Sequence, residues 1–305
     1  MAANSLGIIG MGWVGSSVAI SLLQKGVTKE LLLSDVRHEI AEGEAMDLNH
    51  GSSFYPTARI RACSIPEMKK CDAIVITAGR GGSPDESRLD LLQSNINIVK
   101  SISEQLDGFN GILIIVANPV DVLTYYYQYF TGLPKERVIG TGTLLDTARL
   151  RDYTGTKLNI DPRSIHANVI GEHGDSEVVL WSRATIGGIP LRNWKNWSSA
   201  YEEEIASQVR TAAYEIIRRK GATNHAIGLV TASLIKWIMR GERRLVNICS
   251  TIEGTHDLSG VALSLPTVIS DNGIEEVLEM KMSDDEEERL RNSADVLSKA
   301  INSVR

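Results

Sequence analysis

In the first half of the chain, short apolar runs alternate with longer stretches whose apolar residues recur at helical spacing. The runs at 6–10, 31–34, 73–77 and 112–117 are nearly free of polar residues. A strand that is apolar at successive positions is buried on both faces, as in a parallel sheet covered by helices. The intervening stretches 14–25, 38–50 and 87–106 read as those helices. Strand and helix in alternation predict βαβ units. The second half differs: a strand pair at 165–170 and 178–186, helices at 200–220 and 224–239, strands at 245–249 and 261–269, and a charged helix over 283–304. The acidic run from Asp284 to Glu288 follows Ser283. It is read as a helix start, because carboxylates in a first turn complement the helix dipole. The pattern predicts an α/β chain: a doubly wound parallel sheet over 1–142, then an α+β domain over 143–305, with the change near Gly142.

Composition narrows the partners. The chain has 305 residues, 43% of them hydrophobic, and a formal net charge of −6. An acidic balance argues against nucleic acid, and no apolar run approaches the ~20 residues that span a bilayer. The start, Met1-Ala2-Ala3-Asn4-Ser5, lacks the positive charge of a signal peptide. Cys63, Cys71 and Cys249 have no metal-ligand spacing, so no metal is expected and they read as reduced thiols of a cytoplasmic protein.

Gly10-Met11-Gly12-Trp13-Val14-Gly15 matches G-x-G-x-x-G where a strand gives way to a helix. The first glycine permits the tight turn, the second admits a pyrophosphate, and the third lets helix and strand pack closely. The free N–H groups of the helix start then face phosphate. Asp35 ends the next strand, about twenty residues on, where a carboxylate holds ribose hydroxyls and repels a 2′-phosphate. The fold is therefore expected to be of the Rossmann type and the cofactor NAD, with Arg37 the one nearby feature favouring NADP. Trp13 is bulky for its place, and the pattern supplies no reason for it.

Two further segments carry chemistry. Gly171-Glu172-His173-Gly174-Asp175-Ser176 places a histidine between glycines at a strand end. Leu145-Asp146-Thr147-Ala148-Arg149-Leu150-Arg151 offers a carboxylate to orient an imidazole and a guanidinium to grip a carboxylate substrate. Taken singly, each residue is more simply a salt-bridge member or a structural histidine. Asp146 and Arg149 also have the spacing of a helix-stabilising pair. Their joint occurrence suits redox chemistry on a 2-hydroxy acid.

With these motifs the chain resembles the lactate/malate dehydrogenase superfamily, and within it the bacterial L-lactate dehydrogenases. The resemblance runs from about Leu6 to Ile301. It also rests on Met46-Asp47-Leu48-Asn49-His50-Gly51, Ile76-Thr77-Ala78-Gly79, Ala117-Asn118-Pro119-Val120-Asp121 and Gly221-Ala222-Thr223. It implies an NAD-binding domain over 1–142 and a catalytic domain over 143–305. His173 would exchange the proton, Asp146 would hold its imidazole, and Arg149 would clamp the substrate carboxylate. Arg88, after the glycine-rich lid 79–84, would polarise the reacting carbonyl. Asn118 and Thr223 would contact substrate. Thr77, Ala78, Gly79, Asn95 and Asn118 would join Gly10, Met11, Gly12, Trp13, Val14, Gly15 and Asp35 in holding the cofactor. Arg80 is read as facing the cofactor phosphates.

The sequence departs from the family at one telling place. The lid position that reads the substrate side chain is glutamine in lactate and arginine in malate dehydrogenases; here it is Gly82. Glycine cannot pair with a second carboxylate, which disfavours malate because a buried unpaired carboxylate is costly. The expected reaction interconverts pyruvate and L-lactate, with a branched-chain (2-hydroxyisocaproate-type) substrate or malate as alternatives. A catalytically silent NAD-binding sensor is the alternative from another class, and the intact His173, Asp146, Arg149 and Arg88 argue against it. Arg151 and His166 match the positions that bind fructose 1,6-bisphosphate between subunits in many bacterial relatives. The resemblance implies a homotetramer, with a dimer as the alternative.

Overall fold

A computed structural model of the chain describes residues 4–81 and 87–304, the side chain of Arg88 excepted. The first half contributes β1 (Ser5–Ile9), α1 (Trp13–Lys25), β2 (Glu30–Ser34), α2 (His38–His50), β3 (Arg59–Ala62), β4 (Ala73–Ile76), α3 (Arg88–Gln105), β5 (Ile112–Ile115), α4 (Val120–Thr131) and β6 (Val138–Gly140). These six strands are parallel and lie in the order β6-β5-β4-β1-β2-β3, that of a Rossmann sheet. The apolar runs follow from burial on both faces. One face packs Ile74, Ile76, Leu113 and Ile115 against Ile96, Val99 and Ile102 of α3 and Val120, Val122 and Leu123 of α4. The other packs Leu6, Ile8, Leu31 and Leu33 against Val18 and Leu22 of α1 and Ala41 and Ala45 of α2.

The second half contributes α5 (Leu144–Leu158), β7 (Ile165–His166), β8 (Val169–Ile170), β9 (Val178–Val179), β10 (Thr185–Ile186), β11 (Ile189–Pro190), α6 (Ala200–Lys220), α7 (His225–Met239), β12 (Arg244–Glu253), β13 (Ser259–Ser270), β14 (Gly273–Val277) and α8 (Asp284–Asn302). The antiparallel strands β12, β13 and β14 extend the parallel sheet to nine strands, through the pairing of Cys249 on β12 with Gly140 on β6. Leu234, Ile235 and Ile238 of α7 also pack into the face that α1 and α2 cover. Asn224 donates to the Ser17 hydroxyl at 3.0 Å, tying the start of α7 to α1.

Two expected strands are broken. The run 165–170 divides into β7 and β8, which pair with β10 and β9 respectively. At the start of β8, side chains from α5 and its N-cap replace ladder partners: the Thr147 hydroxyl accepts from Val169 N–H at 3.0 Å, and the Thr143 hydroxyl donates to Val169 C=O at 2.6 Å. The run 178–186 is interrupted by a 3₁₀ turn at Trp181–Arg183. Ser182 there donates its N–H and its hydroxyl to Glu286. Glu286 also completes a capping box with Ser283 at the start of α8, so one member of the acidic run is a buried tie between elements.

The three cysteines are free and buried. Among the described residues no helix is long and apolar enough to cross a membrane. No group of His, Cys, Asp and Glu that could hold a metal occurs among them either.

Candidate active site

The carboxyl ends of β1, β2 and β4 meet at the glycine-rich turn. Gly10 has φ +100°, and a Cβ there would meet the Ala78 backbone nitrogen at 2.6 Å. Only glycine fits. A Cβ on Gly12 would meet nothing within 4 Å, which leaves the backbone open on the side a ligand would approach. Gly12 caps α1 without a side-chain hydrogen bond, so the first N–H groups of α1 have no side-chain cap. Asp35 accepts from Met11 N–H at 2.7 Å and from Arg37 N–H at 3.0 Å, which fixes its carboxylate beside the turn. The Thr77 hydroxyl donates to Gly10 C=O at 2.6 Å, fastening the end of β4 to the same turn. The residues present thus fit a dinucleotide: an open anion-binding helix start with an ordered carboxylate at the ribose position.

Asn95 is buried on α3, and its amide holds both the N–H and the C=O of Arg80. It therefore fixes the root of the segment that continues into 82–86. The Arg80 guanidinium donates to the Ser94 hydroxyl at 3.1 Å. Gly82 lies outside the described residues, as does the side chain of Arg88, whose backbone begins α3. Trp13 is 59% exposed at the start of α1; no packing contact accounts for it.

The second set of residues meets within the second half, between α5 and the loop after β8. Asp146, in the first turn of α5, is 2% exposed. One of its oxygens lies 2.5 Å from His173 Nδ1, and the other accepts from the Arg149 guanidinium at 2.8 Å. Burial alone would push the Asp146 carboxyl up, but the cations His173 and Arg149 together hold it below its ordinary value. Burial would lower His173, but the Asp146 carboxylate overrides it and raises the imidazole to about 9. With Nδ1 engaged, Nε2 is the nitrogen free to exchange a proton.

Two carboxylates outside the expected set border this site. Asp121, in the first turn of α4, accepts from His173 N–H at 2.7 Å. Glu177 follows the histidine loop, and burial and then the nearby Asp146 push its carboxyl up to about 8. Asp121 was visible in the sequence as part of Asn118-Pro119-Val120-Asp121; Glu177 carried no signal beyond its nearness to His173.

Comparison with known proteins gives these arrangements a context. Residues 4–140 match the model of the lactate/malate dehydrogenase NAD-binding domain, and residues 143–305 that of the lactate/malate dehydrogenase α/β C-terminal domain. The chain belongs to the lactate/malate dehydrogenase family. An L-lactate dehydrogenase of Fervidobacterium nodosum is 46% identical, covering 98% of this chain and 97% of that protein. One of Synechococcus sp. strain JA-3-3Ab is 43% identical over 98% of each. Among solved structures, the minor L-lactate dehydrogenase of Enterococcus mundtii, in a ligands-bound form, superimposes with a TM-score of 0.97 at 35% identity. It covers 100% of this chain and 99% of that one.

Within this family fold, the chain brings His173, Asp146 and Arg149 together as contacts. Asn118 sits three positions before Asp121, its side chain accepting from Val120 N–H at 3.3 Å. Thr223 lies half-buried next to Asn224, the residue tied to α1. Arg151 and His166 line a different cleft, of about 640 Å³, together with Arg163, Trp237, Arg244 and Leu245.

Proposed function

We propose that this chain is an NAD-dependent L-2-hydroxy acid dehydrogenase acting as an L-lactate dehydrogenase, interconverting pyruvate, NADH and a proton with lactate and NAD. The observation that carries the reading is the one buried carboxylate, Asp146, shared by an imidazole and a guanidinium. It supplies a protonated acid and a carboxylate clamp side by side. The names of the relatives support lactate as the product class. The domain spanning 1–142 would bind NAD and the domain spanning 143–305 would carry the chemistry.

Bound along the turn from Gly10 to Gly15, NADH would supply the hydride. Asp35 would hold the adenosine ribose hydroxyls, and Thr77, Ala78, Gly79, Asn95 and Asn118 would line the nicotinamide side. Arg149 would take the substrate carboxylate through two parallel hydrogen bonds. As negative charge builds on the carbonyl oxygen, His173 Nε2 would donate its proton, and Arg88 would stabilise the same oxygen. Asp146 would hold the imidazolium in place before the transfer. In the reverse direction, neutral His173 would accept the hydroxyl proton. Thr223 would border the substrate methyl.

Gly82 disfavours a dicarboxylic substrate and leaves room for larger 2-oxo acids. The test is NADH oxidation with pyruvate, oxaloacetate and 2-oxoisocaproate at matched concentrations. Pyruvate preferred is the expected result. Preference for either of the others would overturn the substrate assignment, and turnover with none would return the chain to a silent NAD-binding protein.

Arg151 and His166 on one cleft support fructose 1,6-bisphosphate as an effector bridging subunits of a homotetramer, or of a dimer. Free, buried thiols support a cytoplasmic setting.

A further inference from the structure

Trp13 stands exposed at the first position of α1. Phosphate at a helix start is met by backbone N–H groups, so the glycine-rich turn asks nothing of this side chain. A large apolar ring at the rim of a cleft is the kind of group that lines a ligand pocket. What it faces follows from the register of α1. Trp13 and Ser17 are one helical turn apart on the same face, with Cβ atoms about 5–6 Å from each other. Ser17 is where α7 meets α1. Its hydroxyl accepts from the Asn224 amide at 3.0 Å, and a Cβ on Gly228 would come within 2.7 Å of its C=O oxygen. Helical side chains lean toward the N-terminus of their own helix. The indole therefore extends from the Ser17 contact past the start of α1, on the side where the chain leads into α7. Thr223, half-buried, is the residue just before Asn224. Trp13 and Thr223 thus border one opening, each from a different half of the chain, at the end of the sheet where β1 gives way to α1.

We infer that Trp13 is a specificity-determining residue, its indole forming with Thr223 the wall against the substrate side chain and supplying bulk that the chain lacks at Gly82. The inference rests on the 2-hydroxy acid dehydrogenase reading proposed above, in which Thr223 borders the substrate methyl. A methyl group fits against the ring, whereas a branched side chain has to displace it. The wall is apolar, so it offers nothing to a second carboxylate. Pyruvate is then favoured although glycine stands at the lid position.

The test is kcat/KM for 2-oxoisocaproate relative to pyruvate in the whole protein, native, Trp13→Phe and Trp13→Ala, with the Kd of NADH measured on each. The ring is exposed, so its truncation opens no core cavity and the variants should fold. Trp13→Ala is expected to raise the ratio at least about tenfold, the scale on which an apolar pocket discriminates a few carbons, and Trp13→Phe to raise it less. A ratio that does not move would overturn the inference. So would an equal loss on both substrates that follows a weaker NADH complex, because Trp13 would then cover the cofactor alone. A second readout needs no turnover. With NADH bound, oxamate, an unreactive analogue of pyruvate, should change the part of the tryptophan emission that is missing from Trp13→Phe. If no 2-oxo acid is turned over, the dehydrogenase reading falls, and the oxamate response still decides whether Trp13 borders the ligand; no response overturns that too.

Discussion

Asp146 bonds His173 with one oxygen and Arg149 with the other, and it has almost no water around it. Removing its charge leaves two cationic side chains to repel each other in a buried site. Asp146→Asn is expected to lower kcat/KM for pyruvate by about 10²–10³-fold, with steady-state kinetics as the check. Glu177 behaves differently. Its carboxyl is ordinarily near 4.5 but is held at about 8 in the fold. Between those values the folded chain keeps a proton that the unfolded chain has lost. Stability therefore falls as pH rises through that window. Glu177→Gln stays neutral throughout. Its melting temperature relative to the native chain should rise from about pH 5 to about pH 8, by at least about 2 °C. A difference independent of pH would show that Glu177 is already ionised in the fold. Neither role was legible in the sequence with equal clarity. Asp146 stood out because Arg149 follows it at helical spacing and His173 lies between glycines. Asp121 was legible only as a member of Asn118-Pro119-Val120-Asp121, with nothing in the sequence to mark its bond to the distant His173 N–H.

At the scale of elements, the sequence showed most where burial is two-sided. The continuous apolar runs of β1, β2, β4 and β5 could be read directly, whereas β3, where Arg59 and Arg61 alternate with Ile60 and Ala62, has no such run and was not read. Three-residue β6 is too short to carry a period. The breaks between β7 and β8 and between β9 and β10 could not be read, because Thr143, Thr147 and Glu286 supply the replacement bonds from distant positions. At this scale Asn95 holds both the N–H and the C=O of Arg80, and Gly82 lies beyond the described residues. Gly82→Gln is expected to lower the KM for pyruvate and to lower turnover of 2-oxoisocaproate in the same substrate panel. No gain for pyruvate would mean that the lid side chain does not read the substrate here.

The whole molecule couples its halves through one sheet. The pairing of Cys249 with Gly140 joins the antiparallel strands to the parallel ones, and α7 packs beside α1 on one face of the sheet. His173 is thus held by α4 from the first half and α5 from the second. If Arg151 and His166 of neighbouring subunits share fructose 1,6-bisphosphate, the ligand offsets repulsion between cations and favours the assembly. Sedimentation with and without the bisphosphate should show a rise in mass, accompanied by a lower KM for pyruvate; no change in either would remove the effector. His173, held by Asp146, is proposed above as the acid for 2-oxo acid reduction. The direct measurement is kcat/KM for pyruvate from about pH 6 to about pH 10. With His173 as the acid, the expected profile is a plateau that falls through about pH 9. A fall centred near the ordinary histidine value, or no turnover of pyruvate at any pH, would contradict it.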